Sequence, residues 1–196
     1  MSGGRYVQPV QIDVSRLVQR SVASLYAHLV TRPTGRAVRL AIESQLAEAG
    51  ERSCSLIDLS EVTVLDFSCA DEVVAKLLLR YLEADRPREA YFVFRGVRDL
   101  HREPIEAVLE RQRLAAVGQR EDGLFELMGS RGEEEHAVWR ILEGRGRLEV
   151  EDVADALPSG EQRSALERLV RRRLVFREPS GRCHALSRLV QDLPPR

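Results

Sequence analysis

The feature that most constrains the fold is an apolar run at residues 54–66, CSLIDLSEVTVLD. Aliphatic side chains, among them Leu56, Ile57, Val62 and Leu65, occupy most of its positions. A strand that is apolar at nearly every position is typical of a parallel sheet whose two faces are both covered. The run therefore predicts an interior strand of an α/β protein.

The segments before this run carry weaker signals. Residues 6–14 have β character, and Pro9 places them at a sheet edge or a bend. Residues 31–50 predict a helix in which Pro33 lies near the start and Thr34 is the candidate cap. One strand and one helix are thus expected upstream of the apolar run.

Strand and helix patterns continue to alternate downstream. Residues 70–85 repeat apolar side chains at helical spacing, and residues 91–97, YFVFRGV, predict a second buried strand. A further helix is expected to begin at Pro104, whereas residues 16–30 fit either a helix or a strand. This alternation predicts an α/β fold with helices packed on a sheet.

The pattern changes at residues 129–135, GSRGEEE, which have the composition of a linker. Beyond them the sequence predicts three helices and then a β-hairpin around the turn at residues 178–181. We therefore predict two domains, residues 1–130 and residues 131–196.

Composition and charge narrow the function classes. The formal net charge of -1 gives no global attraction to nucleic acid or to an anionic membrane. Cys54, Cys69 and Cys183 match no zinc or disulfide spacing, which indicates a reducing compartment. No signal-peptide pattern begins the sequence, and no apolar run approaches the roughly 18 residues of a membrane span. We expect a cytoplasmic protein with no membrane attachment, metal or cofactor.

The corner that follows the apolar run, DFSCADE at residues 66–72, leads directly into a strongly patterned helix. Together with the preceding strand and the helix pattern of residues 29–46, it resembles the STAS family, the anti-sigma-factor-antagonist fold. The resemblance is closest to a STAS-like branch in which an acidic ADE sequence begins the helix. It implies a STAS-like sheet with packed helices, and a protein partner such as a histidine-kinase-like ATPase or another signalling protein.

Ser68 has two interpretations. The best-known family members carry Asp-Ser-Ser-Gly at this corner, and a partner kinase phosphorylates the second serine, whose place Ser68 takes here. The resemblance therefore implies a phosphorylation switch. The residues themselves favour a helix N-cap at Ser68, with Asp71 at the third helical position, because neighbouring acids would repel a phosphate. We predict a cap within a docking surface.

The acidic residues Asp66, Asp71 and Glu72 are the candidate partner-docking residues. Three carboxylates after a strand also fit a metal or acid/base cluster, since α/β proteins place sites there. However, acids in the first helical turn complement the helix dipole, and no histidine accompanies them. Cys69 fits either a reactive thiolate at a helix N-terminus or a small buried side chain. We expect no catalytic residue.

Residues 148–186 resemble a winged helix-turn-helix domain. A short strand leads into a helix at residues 150–157, a helix in the recognition position follows at residues 160–172, and the wing is the hairpin around residues 179–182. The resemblance implies a small α+β unit that binds DNA or docks a protein.

Charge is unevenly distributed in this C-terminal part. Residues 163–188 contain eight arginines and two glutamates, whereas residues 133–161 contain nine acids and three arginines. A basic recognition helix and wing fit contacts to DNA phosphates, although the acidic half could instead pair with the basic half of a second copy. The candidate DNA contacts are Gln162, Arg163, Arg168, Arg172 and Arg182.

These patterns together predict a non-catalytic bacterial signalling adaptor, in which a STAS-like docking domain is coupled to a winged helix that contacts DNA or protein. One alternative is a transcription regulator that dimerises and reads an operator in double-stranded DNA directly. Another is a Ser68 phosphoswitch antagonist of an anti-sigma-type kinase.

Overall fold

The computed structural model describes residues 7–17, 28–191 and 193 of the 196-residue chain. The protein is mixed α/β with a mostly parallel central sheet, as the sequence predicted. Most of the segment for which helix and strand were both left open, residues 18–27, lies outside the described residues.

Within the described residues, five strands form the central sheet in the order β1-β3-β5-β6-β7. They are β1 (Gln8–Asp13), β3 (Arg52–Asp58), β5 (Glu89–Val97), β6 (Ala115–Arg120) and β7 (Phe125–Gly129). The first four are parallel, and β7 is antiparallel to β6. Because β1 lies at the edge of the sheet, it tolerates Pro9, which has no N–H to donate.

The apolar run of residues 54–66 forms two strands rather than one. It contributes to β3 and, after a turn, to β4 (Val64–Leu65), which pairs with β2 (His28–Leu29). The turn forms because the Asp58 carboxylate accepts a hydrogen bond from the Ser60 N–H at 3.0 Å. The prediction of a single strand was therefore wrong.

Helices α1 (Arg32–Glu48), α2 (residues 67–82) and α3 (Asp99–Arg111) connect the strands. The middle of α2, Asp71–Lys76, has π-helical hydrogen bonding. Two predicted starts need correction. Thr31 rather than Thr34 caps α1, because it is the extended residue before the first turn and accepts the Thr34 N–H. Helix α3 begins before Pro104, since His101 and Arg102 both donate to the Arg98 carbonyl.

Side chains of each strand alternate between two separate hydrophobic cores. On one face, Ile57, Phe92 and Phe94 pack with apolar side chains of α1, α2 and α3. On the other, Leu56 and Val93 pack with side chains from beyond residue 133. The near-continuous apolar character of β3 and β5 follows from this burial on both sides.

The C-terminal unit, residues 133–193, covers that second face. Its helices are α4 (Glu133–Arg145), α5 (Val153–Ala156), α6 (Gly160–Arg171) and α7 (Leu186–Val190). Its strands β8 (Arg147–Leu148), β9 (Val175–Arg177) and β10 (Cys183–Ala185) form an antiparallel sheet in the order β8-β10-β9. Residues 183–189 were predicted as one strand, but the strand ends at Ala185 and a helix follows, with Leu186 and Val190 buried one turn apart.

Aromatic contacts join this unit to the sheet. The Tyr91 ring of β5 meets the Phe176 ring of β9 edge to face, with centroids 5.4 Å apart. Trp139 of α4 is buried in the same core. No helix among the described residues is long and apolar enough to cross a membrane.

Candidate functional site

The corner at the start of α2 is capped by Asp66. This residue has an extended backbone, with φ -87° and ψ 170°, and its Oδ1 atom accepts the Cys69 N–H at 2.8 Å. Ser68 lies inside the helix, and its Oγ donates to Asp66 Oδ1 at 2.8 Å. The predicted cap at Ser68 is therefore wrong, because a cap is the non-helical residue that precedes the first turn.

The same geometry bears on phosphorylation of Ser68. The half-buried Ser68 hydroxyl donates a hydrogen bond to the Asp66 carboxylate. The same carboxylate also accepts the Cys69 N–H. A phosphate on Ser68 would replace this attraction with repulsion between a near-dianion and Asp66.

Asp71 and Glu72, the other two predicted docking residues, are buried among cations of the same chain. Arg32 Nη1 lies 2.7 Å from Asp71 Oδ2 and 3.1 Å from Glu72 Oε1. Arg111 Nη2 lies 2.7 Å from Asp71 Oδ1, and Lys76 contacts Glu72. A partner at this surface would meet the half-exposed cations before the carboxylates.

This ion cluster ties α1, α2 and α3 together. Burial opposes ionisation of Asp71, but hydrogen bonds and charges from Arg32 and Arg111 outweigh it and hold the pKa of that carboxyl below its usual range. The pKa of Glu72 is lowered in the same way, mainly by Lys76 and Arg39 against the effect of burial. Among the described residues, no group of three or more His, Cys, Asp and Glu side chains is placed to hold a metal ion.

Cys69 is a buried thiol rather than a thiolate. Its Sγ donates to the Thr31 carbonyl at 2.9 Å. Burial, with the nearby Asp66 charge, raises the pKa of the Cys69 thiol to about 12. The thiol therefore stays protonated near neutral pH and is a poor nucleophile.

Exposed apolar side chains surround the corner. Val64 is 39% exposed, Phe67 52% and Val30 47%. The pairing of Leu29 with Leu65 brings β2 and β4 together, and the Asp66 N–H donates to the Leu29 carbonyl at 2.8 Å. We call Val30, Val64, Phe67 and Ser68 the corner surface. Clustered apolar exposure of this kind is typical of protein interaction sites.

A polar row crosses the carboxyl edge of the sheet, and the sequence analysis missed it. Asp13, Asp58, Arg95 and Gln119 are register neighbours on β1, β3, β5 and β6. They line a cavity of about 390 Å³, at the edge where α/β proteins usually bind ligands. The sequence indicated no common end for these strands, because the predicted runs of residues 6–14 and 54–66 continue past Asp13 and Asp58, where β1 and β3 end.

The predicted DNA contacts are all engaged within the chain. Gln162 belongs to a capping box with Ser159, and Arg163 donates to the Leu157 and Pro158 carbonyls at 2.9 and 2.8 Å. The remaining three arginines pair with acids of the C-terminal unit: Arg168 and Arg172 with buried Glu135, and Arg182 with Glu149.

The fold and the corner define a mixed α/β protein with a mostly parallel sheet and an exposed apolar surface beside a capped helix. No protein-family profile, no curated protein and no solved structure matches the sequence.

Proposed function

We propose that this chain is a non-catalytic regulatory adaptor of the bacterial cytoplasm, with a STAS-like layer and a winged-helix-type layer on opposite faces of one sheet. Its corner surface docks a signalling protein, for example a histidine-kinase-like ATPase. The C-terminal unit then transmits that event to a further protein or to DNA.

One observation carries this proposal: the corner surface is apolar and solvent-exposed. Phe67 leaves about half of its side chain in water although it begins a well-capped helix. Complete burial of such a side chain on binding contributes on the order of 1.5–3 kcal/mol. An aromatic anchor of this kind is typical of the centre of a protein interface.

Docking at this surface does not require phosphorylation of Ser68. The Ser68 hydroxyl and the Asp66 carboxylate form a polar pair beside the apolar side chains. Such a pair can form hydrogen bonds that fix the orientation of a bound partner protein. The apolar side chains supply the affinity. The phosphoswitch alternative would require a partner that tolerates or separates the adjacent carboxylate.

The shared sheet gives the two layers a physical connection. Strand β5 carries Phe92 and Phe94 into the helix-side core and Tyr91 and Val93 into the C-terminal core. A displacement of α2 on docking would therefore reach the C-terminal unit through one strand. This route requires no flexible linker.

Protein contact is a better match for the C-terminal unit than DNA contact. Arg168 Nε lies 2.9 Å from Glu135 Oε1, and Arg172 contacts the other oxygen of the same carboxylate. DNA phosphates would have to compete with this buried acid. A steeply salt-dependent shift of duplex DNA by the purified protein would favour the operator-reading alternative instead.

The test compares Phe67→Ser with Leu124→Ser, which changes another exposed apolar side chain, in the turn between β6 and β7. Each tagged variant is expressed in its native cell, and co-purifying proteins are identified by mass spectrometry. We expect a specific protein to be lost with Phe67→Ser and retained with Leu124→Ser, and its purified form to bind the wild type directly. Identical sets of proteins from both variants would contradict docking at the corner.

A further inference from the structure

A strongly basic cavity of about 450 Å³ lies at the amino end of the sheet, opposite the polar row. It forms where the first residues of β3 and β5 meet the end of α6 and the wing. Its volume lies within the usual range for small-molecule sites. Five arginines line it: Arg52, Arg86, Arg171, Arg173 and Arg177.

Two of these arginines are neutralised by acids of the chain. Arg52 Nε lies 2.8 Å from Glu89 Oε2, and Arg177 makes two hydrogen bonds to Glu167, at 3.0 and 2.6 Å. Across the described ranges, 7–17, 28–191 and 193, no carboxylate lies within 4.0 Å of the Arg86, Arg171 or Arg173 guanidinium. The cavity therefore has an excess of positive charge.

Arg173 has an unusual backbone conformation for this position. It follows the C-cap of α6 with φ +57°, in the left-handed region that usually favours glycine. Its guanidinium lies over the Tyr91 ring, 5.4 Å from the centroid, and donates to the Ala90 carbonyl at 3.4 Å. These contacts place the Arg173 guanidinium at the cavity wall.

Neighbouring cations oppose the charge of the Arg173 guanidinium. Burial lowers the pKa of Arg173, and the charges of Arg86 and Arg52 act in the same direction. An anion in the cavity would remove this repulsion and satisfy donors that have no charged partner in the described chain.

We propose that this cavity binds the phosphate group of a small phosphorylated molecule. The planar fork of a guanidinium matches two oxygens of a phosphate, and the groups converge from α6, the sheet and the segment after α2. Leu82, Val170 and Pro179 line the remainder of the cavity and supply apolar contacts for the rest of the ligand. The site is separate from the corner surface and goes beyond the adaptor function.

Isothermal titration calorimetry of the full chain tests whether the cavity binds phosphate groups. The probes are inorganic phosphate and pyrophosphate at constant ionic strength. The key variant is Arg173→Gly, which removes the guanidinium and relieves the positive φ. Arg113→Gly is its matched control, because Arg113 has φ +55° at the end of α3 and does not line the cavity. We expect the pyrophosphate affinity to fall at least about tenfold for Arg173→Gly and to stay unchanged for Arg113→Gly.

Arg86→Ala gives a second, independent reduction, because Arg86 also lines the cavity and makes no ion pair with any other described residue. The proposal is overturned if the wild type binds neither probe, or if Arg173→Gly binds pyrophosphate as the wild type does. It is also overturned if duplex DNA binds through Arg173 while pyrophosphate neither binds nor competes, since the ligand is then a nucleic-acid backbone.

Discussion

Removal of Arg172 should destabilise the fold rather than only weaken a surface contact. Arg172 contacts Glu135 and also donates to the Ser130 carbonyl, so it joins α6 to the start of α4 and to the end of the central sheet. The Glu135 side chain is only 7% exposed. Arg172→Ala would leave this buried carboxylate with a single cationic partner, Arg168.

The size of this destabilisation depends on how deeply the ion pair between Arg172 and Glu135 is buried. Removal of one partner from a fully buried ion pair costs about 3–5 kcal/mol. The cost here is smaller for two reasons. Arg172 is 25% exposed, and Arg168, which is 40% exposed, remains paired with the Glu135 carboxylate. We expect a decrease of about 2 kcal/mol in the free energy of unfolding.

Urea denaturation followed by tryptophan fluorescence measures this change. Trp139 is the only tryptophan of the chain, and it is buried in the core shared by the sheet and the C-terminal unit. Arg171→Ala is the control, because it changes an exposed arginine next in sequence and should cost less than about 0.5 kcal/mol. Equal stability of the two variants would show that the Arg172–Glu135 ion pair does not stabilise the fold.

Three further predictions concern the stability of the fold. Asp66→Ala should cost about 1 kcal/mol and Ser68→Ala less than about half of that, because Asp66 is the helix cap; the reverse order would refute this assignment. Burial lowers the pKa of His101 in the folded state, whereas the unfolded chain keeps a value near 6.5. The free energy of unfolding should therefore fall as the pH decreases below 6.5, and it should fall less steeply for His101→Gln. Equal pH dependence in the two proteins would show that His101 is not the cause. A fragment of residues 1–130 should aggregate or bind hydrophobic dyes, because Leu56, Val93 and other side chains of the second core become exposed; a monomeric, cooperatively unfolding fragment would show otherwise.

The buried strands were the part of the fold that the sequence predicted best. The apolar runs predicted β3 and β5, and Pro9 indicated an edge or a bend for β1, which lies at the edge. The break after Asp58 was not predictable from hydrophobicity, because the apolar pattern continues through the turn. A side-chain hydrogen bond from the Ser60 N–H, rather than a change in composition, ends the strand.

The candidate site depended on finer detail than sequence supplies. A shift of two residues in the start of α2 decides whether Asp66 or Ser68 is the cap, and both residue types are good caps. The ion pairs were also beyond local patterns, since Arg32 and Asp71 are 39 residues apart. The arginine excess of residues 163–188 suggested free cations, whereas Glu135, far outside that window, binds Arg168 and Arg172.

The composition change at residues 129–135 predicted a boundary between two domains. The apolar strands of the sheet indicate that the segments on either side of this boundary depend on each other. A sheet whose strands are apolar on both faces needs a cover on each face. Helices α1, α2 and α3 cover one face, and the C-terminal unit places Trp139 and Phe176 against the other. Flexible composition between two segments therefore does not imply separate cores. The strands that made the first segment look like a complete α/β domain are also the reason it should require the second.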